Sequence, residues 1–239
     1  MMKMFRIITI IIVSFSSFLF AQLKDVQVSF ENITPLGKRI GITDSKANGL
    51  SVRINYDIGS DLSFFINGGI QSYTIHQENA IARWDWRFWD RYDDYINITL
   101  QDPDYQSRIG VVQKMDLIPI MLGLSYSIEI SNDFLLEPSI AGGVFIYTRR
   151  FYVEEYWQKY FEEIDYTFSY SYYNIAPQKK GNPIAFTTGL NARYILTDFL
   201  DLTMQLNYVQ LVDTKGDLGF AYFPYNNAFN IAAGLVINY

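Results

Sequence analysis

Residues 118–130 read Ile-Pro-Ile-Met-Leu-Gly-Leu-Ser-Tyr-Ser-Ile-Glu-Ile. Ile118, Ile120, Leu122, Leu124, Tyr126, Ile128 and Ile130 hold every second position, with Pro119, Met121, Gly123, Ser125, Ser127 and Glu129 between them. Only a β-strand places residues i, i+2 and i+4 on one face. One face is apolar along the whole stretch, and the other is mostly small or polar. A strand that crosses the hydrocarbon layer of a membrane needs about 9–11 residues, so this one is long enough.

Working outward, the same alternation recurs. Leu62, Phe64, Ile66 and Ile70 alternate with Ser63, Asn67, Gly69 and Gln71, and Leu50 to Ile58 alternate with Ser51, Arg53, Asn55 and Asp57. Ile184 to Tyr194 and Leu200 to Tyr208 repeat it, as do Val26, Val28 and Phe30 and, more weakly, Ile140, Val144 and Ile146. An eighth strand ends the chain, with Phe229, Ile231, Ala233, Leu235, Ile237 and Tyr239 on one face. Short connections at Ser60-Asp61-Leu62, Asn132-Asp133-Phe134 and Thr197-Asp198-Phe199 each put a turn-forming residue and an Asp before a strand start. They alternate with long connections at about 35–49, 76–113, 149–182 and 213–225.

This pattern predicts an all-β fold: an eight-stranded antiparallel up-and-down transmembrane β-barrel with short periplasmic turns and long extracellular loops. Tyr56, Tyr126, Tyr194 and Tyr239 collect near the short-turn end of the apolar face, as an interfacial aromatic girdle requires. The expected location is the bacterial outer membrane. Residues 1–21 read as a signal peptide: Lys3 and Arg6, an apolar run from Ile7 to Phe20, then Ala21. The barrel then occupies residues 22–239.

Setting aside Lys3 and Arg6 leaves 17 basic residues against 25 acidic ones. An acidic chain without a basic stripe argues against nucleic acid as partner. With no Cys, an exported chain must hold together without disulfides.

By parity Glu31, Arg53, Glu129, Glu137 and Arg193 point into the barrel as a polar cluster filling the lumen. Buried charges need partners, and Glu137 with Arg193 on the neighbouring strand is the first expected pair. A conducting path is the alternative. The single His, His76, is followed by Gln77 and Glu78, and Ser72 lies about 13 Å along the strand, too far to be its nucleophile. No catalytic, metal or cofactor site is expected. All four Trp, namely Trp84, Trp86, Trp89 and Trp157, sit in the long connections among Arg, Asp and Tyr. They form a candidate binding surface for a protein, glycan or lipopolysaccharide, or else they pack two long hairpins together. The segment from Val153 to Ile164 is readable as a short amphipathic helix or as an extended hairpin.

The Phe-Ala-Gln run at Phe20 to Gln22, the strand from Leu117 to Tyr126, the Asp-containing turns and the tail from Phe229 to Tyr239 carry a resemblance. The chain resembles the small outer-membrane β-barrel domain family of Gram-negative bacteria, particularly the PorT-like group of the Bacteroidetes type. That resemblance makes Phe229, Leu235, Ile237 and Tyr239 the C-terminal insertion signal. It implies insertion by the barrel-assembly machinery, contact with outer-membrane lipid and lipopolysaccharide, no cofactor and no shared catalytic residues. The expected function is a non-enzymatic barrel that presents aromatic loops for binding or envelope integrity. A narrow pore for small solutes and an outer-membrane lipid-modifying enzyme are the alternatives, and a soluble lipocalin-like binder is the outsider.

Overall fold

The computed structural model describes residues 22–37, 41–59, 61–212 and 223–239. The segment expected to be a signal peptide, Ser60 of the first short turn and most of the last long connection lie outside them. Strands β1 (Gln22–Pro35), β2 (Ile42–Gly59) and β3 (Leu62–Gln77) precede two helices, α1 (Ala80–Trp84) and α2 (Arg87–Thr99). Then come β4 (Tyr105–Tyr126), β5 (Ile128–Ser131), β6 (Phe134–Phe161), β7 (Tyr166–Ile175), β8 (Lys179–Gly181), β9 (Ile184–Thr197), β10 (Leu200–Leu211) and β11 (Asn227–Asn238).

Eight of these strands form a closed antiparallel ring in the order β1, β2, β3, β4, β6, β9, β10, β11, with β11 returning to β1. The closing seam pairs Asp25 with Asn238 and runs on to Pro35 with Ala228. The count of eleven segments departs from the expected eight because three pieces extend strands already in the ring. β5 continues the line of β4 beyond Ser127, whose N–H turns aside to the Asp61 carbonyl at 2.8 Å. β7 and β8 lie along β6 in line with β9. The interruptions contain Pro177 and Pro183, which have no N–H to give to a ladder.

The strands also run further into the expected loops than apolar alternation suggests. β1 and β2 leave only residues 36–41 between them, and the segment from Val153 to Ile164 is mostly the upper part of β6. Alternation had faded there because the outward face turns polar while the ladder continues. Outward-facing Asn32 and Asn48 are cross-strand partners joined at 3.0 Å. Next to them Ser72 donates to Asp116 at 3.3 Å, and Arg150 pairs with Asp116.

On the short-turn side of this polar line the outside of the ring is apolar on every strand. Leu50 is 61% exposed, Ile70 64%, Ile140 61% and Met204 62%. The outward face ends near the short turns on Tyr56, Tyr126, Tyr194 and Tyr239, and Tyr126 donates to Asp61 at 3.3 Å. From Asp116 to Tyr126, β4 crosses this belt with about the number of residues that a lipid-spanning strand uses.

The inward face inverts the usual order of a soluble domain, with polar groups buried at one end and apolar ones at the other. Asp25, Gln27, Ser29 and Glu31 alternate inward along β1, each buried. Towards the long connections, Tyr73, Met115, Leu117, Phe145 and Tyr147 form a buried apolar layer. Phe223 and Tyr225, from the β10–β11 connection, insert among them. The Tyr225 and Tyr73 hydroxyls meet at 2.6 Å, and Phe223 packs edge-on to Tyr147 at 5.1 Å.

Candidate functional site

The interior of the ring at the short-turn end is built around Arg193, on β9 and 3% exposed in its side chain. Its Nη1 donates to Asp25 at 2.8 Å and to Glu137 at 3.3 Å, and its Nη2 donates to Asp201 at 2.5 Å. The guanidinium also reaches Asn238 at 2.9 Å, so strands β1, β6, β10 and β11 converge on one side chain. Glu137 further accepts from Asn191 at 2.8 Å, and Lys24 approaches it at 3.9 Å from the mouth of the ring. Arg53 donates to Asn55 and Ser125, both at 2.8 Å, and lies 3.7 Å over the Phe65 ring. Asp25, Glu137 and Asp201 thus share Arg193, with Arg53 beside them and Lys24 at the mouth between Glu137 and Asp57. Such pairing is what lets buried charges persist.

Glu31 stands apart from this group. It accepts from Gln71 at 2.8 Å, and Gln71 in turn accepts from Tyr73 at 3.0 Å, which links the charged end to the aromatic layer. A cavity of about 40 Å³ lies in the ring beside Arg53, Asn67, Met121 and Gln205. It has room for a few water molecules.

Glu129 requires a correction. It was expected inside, but it lies exposed on β5. Its parity is inward, yet β5 projects beyond the end of β3, where Leu62 is the partner of Tyr126. Past that point there is no interior for an inward side chain to enter. Asp25, Asp201 and Arg149 are buried inward charges that the expected cluster left out. Asp25 and Asp201 share parity with residues that alternation does place on the polar face, Gln27 and Thr203.

Beyond the polar line, β4, β6 and β7 continue as a three-stranded extension, and α1 and α2 lie against one face of it. α2 turns Trp89 and Ile96 inward, seven residues apart on one helical face. α1 is bounded by two residues in left-handed backbone, Asn79 (φ 50°) and Asp85 (φ 55°), residue types that tolerate it. The four Trp therefore do not form a common surface. Trp84, Trp89 and Trp157 are 4%, 8% and 2% exposed, and Trp86 is half-buried. Trp84 stacks on Phe151 at 5.0 Å, and Trp157 meets Tyr105 edge-on. The expected binding surface is corrected to a packed cap. Its outward aromatics are others, among them Phe88 and Tyr95.

At the heart of the cap lies Glu155, fully buried. It accepts from Trp157 Nε1 at 2.9 Å, from Tyr92 at 3.0 Å and from Asn174. Tyr92 also shares a hydrogen bond with Tyr172, whose hydroxyl is held well above its ordinary pKa by desolvation first and by these bonds second. Replacing Glu155 with Leu leaves Trp157 Nε1 and Asn174 without their acceptor and Tyr92 with only its bond to Tyr172; each donor left buried and unpaired costs about 1–3 kcal/mol. The expected result is a cap that opens while the ring persists, read as faster proteolytic cutting within residues 80–100 of detergent-folded protein. Unchanged protection there would show that aromatic packing alone seats the helices.

His76 is exposed at the end of β3, with Ser72 bonded to Asp116 rather than directed at it. Phe229, Leu235 and Ile237 face outward, and the Tyr239 N–H donates to the Lys24 carbonyl at 3.1 Å, tying the last residue to β1.

Neither a protein-family model nor a curated protein matches this chain. Solved structures with a similar arrangement of strands are outer-membrane β-barrel proteins. OprG from Pseudomonas aeruginosa is 12% identical, with 92% of this chain and 96% of that one covered and a TM-score of 0.46. Neisserial surface protein A is also 12% identical, covering 90% and 96% with a TM-score of 0.45. A major outer membrane protein from Thermus thermophilus is 9% identical, covering 90% and 99% with a TM-score of 0.45. At these identities and TM-scores the likeness carries no argument about this chain.

Proposed function

We propose that this chain is an eight-stranded, up-and-down transmembrane β-barrel of the bacterial outer membrane. Its interior is a structural plug, and its packed cap serves binding or envelope integrity outside the cell. The observation that carries this reading is the outer belt: outward-facing apolar side chains on all eight ring strands, bounded on one side by a cross-strand polar line and on the other by tyrosines. Monomeric soluble proteins seldom expose contiguous apolar patches beyond a few hundred Å². A girdled belt of this kind has hydrocarbon as its natural solvent.

Paired charges and the aromatic layer support a plug rather than a conduit, because the Arg193 cluster fills the short-turn end of the ring and packed rings fill the other. The chain acts without catalysis or cofactor. Its partners are outer-membrane lipid and lipopolysaccharide, the barrel-assembly machinery during insertion, and a protein or glycan at the cap. Residues 1–21 act as the signal peptide, and Phe229, Leu235, Ile237 and Tyr239 as the insertion signal. The strand from Leu117 to Tyr126 and the aromatic tail support a PorT-like relationship.

The test is a gel of unboiled and boiled membranes from cells expressing the full chain, with membrane fractionation and a Tyr239 deletion in parallel. A compact band that expands only on boiling, found in the outer membrane and lost on deletion, is the expected result. A soluble periplasmic product without the shift would overturn the reading.

A further inference from the structure

The chain is acidic overall, yet one groove on its cap is basic. Arg83 and Arg87, from the α1–α2 region, face Lys179 and Lys180 across a depression of about 670 Å³. An adjoining depression of about 480 Å³ shares Arg87 and Phe88 and adds Arg91 and Tyr92. Asp85 is the one carboxylate lining either part. Asp90 and Asp94 follow Arg87 and Arg91 by three residues, but neither lines the groove. Among the described residues, no carboxylate lies within ion-pair distance of Arg83, Arg87, Arg91 or Lys180. Lys179 sits 4.7 Å over the Trp84 ring, and its pKa is lowered first by desolvation and then by neighbouring Arg149. Lys179 and Arg149 repel one another here, Asp85 offsets part of that repulsion, and a bound anion relieves more of it.

The floor adds a second requirement. Trp86 and Phe88 are 5.1 Å apart, and Phe88 stacks on Tyr92 at 5.0 Å, so a run of aromatic rings follows the groove between the cations. Phe88 is 44% exposed although it packs on both sides. Ring faces beside guanidinium groups suit a ligand that offers C–H faces and charged oxygens together, which is the chemistry of an acidic sugar. Arginine holds such oxygens in bidentate fashion. The volume lies in the range of small-molecule sites. The groove also sits low on the cap, since Lys180 pairs in register with Thr148, the neighbour of Asp116 in the polar line. That is the level at which outer-leaflet headgroups would lie.

We infer that this groove binds a phosphate- or sulfate-bearing saccharide, held by Arg83, Arg87 and Lys180 with Trp86 and Phe88 beneath the sugar rings. The inference rests on the proposed placement of the cap at the outer surface, and it names the ligand class for that cap. Two sources share this chemistry, the phosphorylated headgroup of lipopolysaccharide and a free acidic glycan.

The test titrates the full chain, folded in micelles and showing the compact unboiled band, while tryptophan fluorescence is followed. The probes are the bisphosphorylated glucosamine disaccharide of deacylated lipid A, its dephosphorylated form, and a sulfated glycosaminoglycan tetrasaccharide. The charged probes are expected to bind at least tenfold more tightly than the neutral one, and less tightly as salt is raised. Arg87→Glu and Lys180→Glu each reduce affinity at least tenfold. Lys114→Glu, the same charge change on an exposed strand position outside the groove, leaves affinity within about twofold. Trp86→Ala weakens binding, and Trp86→Phe restores most of it. Tighter binding of the disaccharide assigns the groove to the headgroup, and tighter binding of the tetrasaccharide assigns it to a free glycan. Equal binding of charged and neutral probes, no binding at all, or equal loss in Lys114→Glu and Lys180→Glu overturns the inference. Because the protein titrated already shows the compact band, any of these leaves the barrel reading standing.

Discussion

Substituting Leu for Arg193 is expected to destabilise the folded barrel by about 3–5 kcal/mol, the cost of removing one partner from a buried ion cluster. The size follows from what is left behind. Asp25, Glu137 and Asp201 are each buried, and all three lose a direct donor at once. The measurement is urea unfolding in micelles, followed by the loss of the compact band. Adding Asp25→Asn and Asp201→Asn to Arg193→Leu is expected to recover a large part of the loss, because two of the three orphaned charges then disappear. A conductance measurement on the same variant separates the two interior readings. Stability that holds while conductance rises would mean that Arg193 lines a water path, and the plug would have to be given up.

The second large effect is expected at a residue that already touches no core. Leu122 is 52% exposed and lies near the middle of the Asp116 to Tyr126 stretch with which β4 crosses the apolar belt. In water, Leu→Arg at such a position is close to neutral. At the bilayer midplane an outward Arg costs about 2–4 kcal/mol. Leu122→Arg is therefore expected to lower stability by that amount in lipid vesicles. Tyr156→Arg, on the outward face of β6 beyond the polar line and 40% exposed, is expected to stay within about 0.5 kcal/mol of the parent chain. Equal, small effects at both sites would remove the membrane from the account, whatever the shape of the ring.

The contrast between Leu122 and Glu129 marks how far a sequence can be read. Both lie on one run of alternating residues, and parity assigns the direction of each correctly. Leu122 needs only its direction, because whatever lies outside the ring is met by every outward side chain. Glu129 needs to know where the ring stops, and that depends on the length of β3, a different part of the chain. The same holds for the loops. Their aromatic and Arg content is visible as composition, but α2 buries Trp89 and Ile96 only because β6 offers Phe151, Val153 and Trp157 on the matching face. Apolar alternation ends at Ser72 and Asp116, where outward residues turn polar although the ladder runs on, so strand length there is not legible from period two alone.

Strand identity, outward direction and the apolar belt are local properties, set by backbone geometry that alternates side chains whatever the strand pairs with. Convergence is not local. Arg193 meets Asp25 from 168 positions away and Asp201 from eight, and Tyr225 enters the ring to meet Tyr73 from 152 positions away. Asp201 reaches Arg193 across the β9–β10 hairpin, but only the closure of β11 onto β1 brings Asp25 to the same side chain and sets Tyr225 opposite Tyr73 in a separate layer, because the stagger between strands decides which inward residues meet.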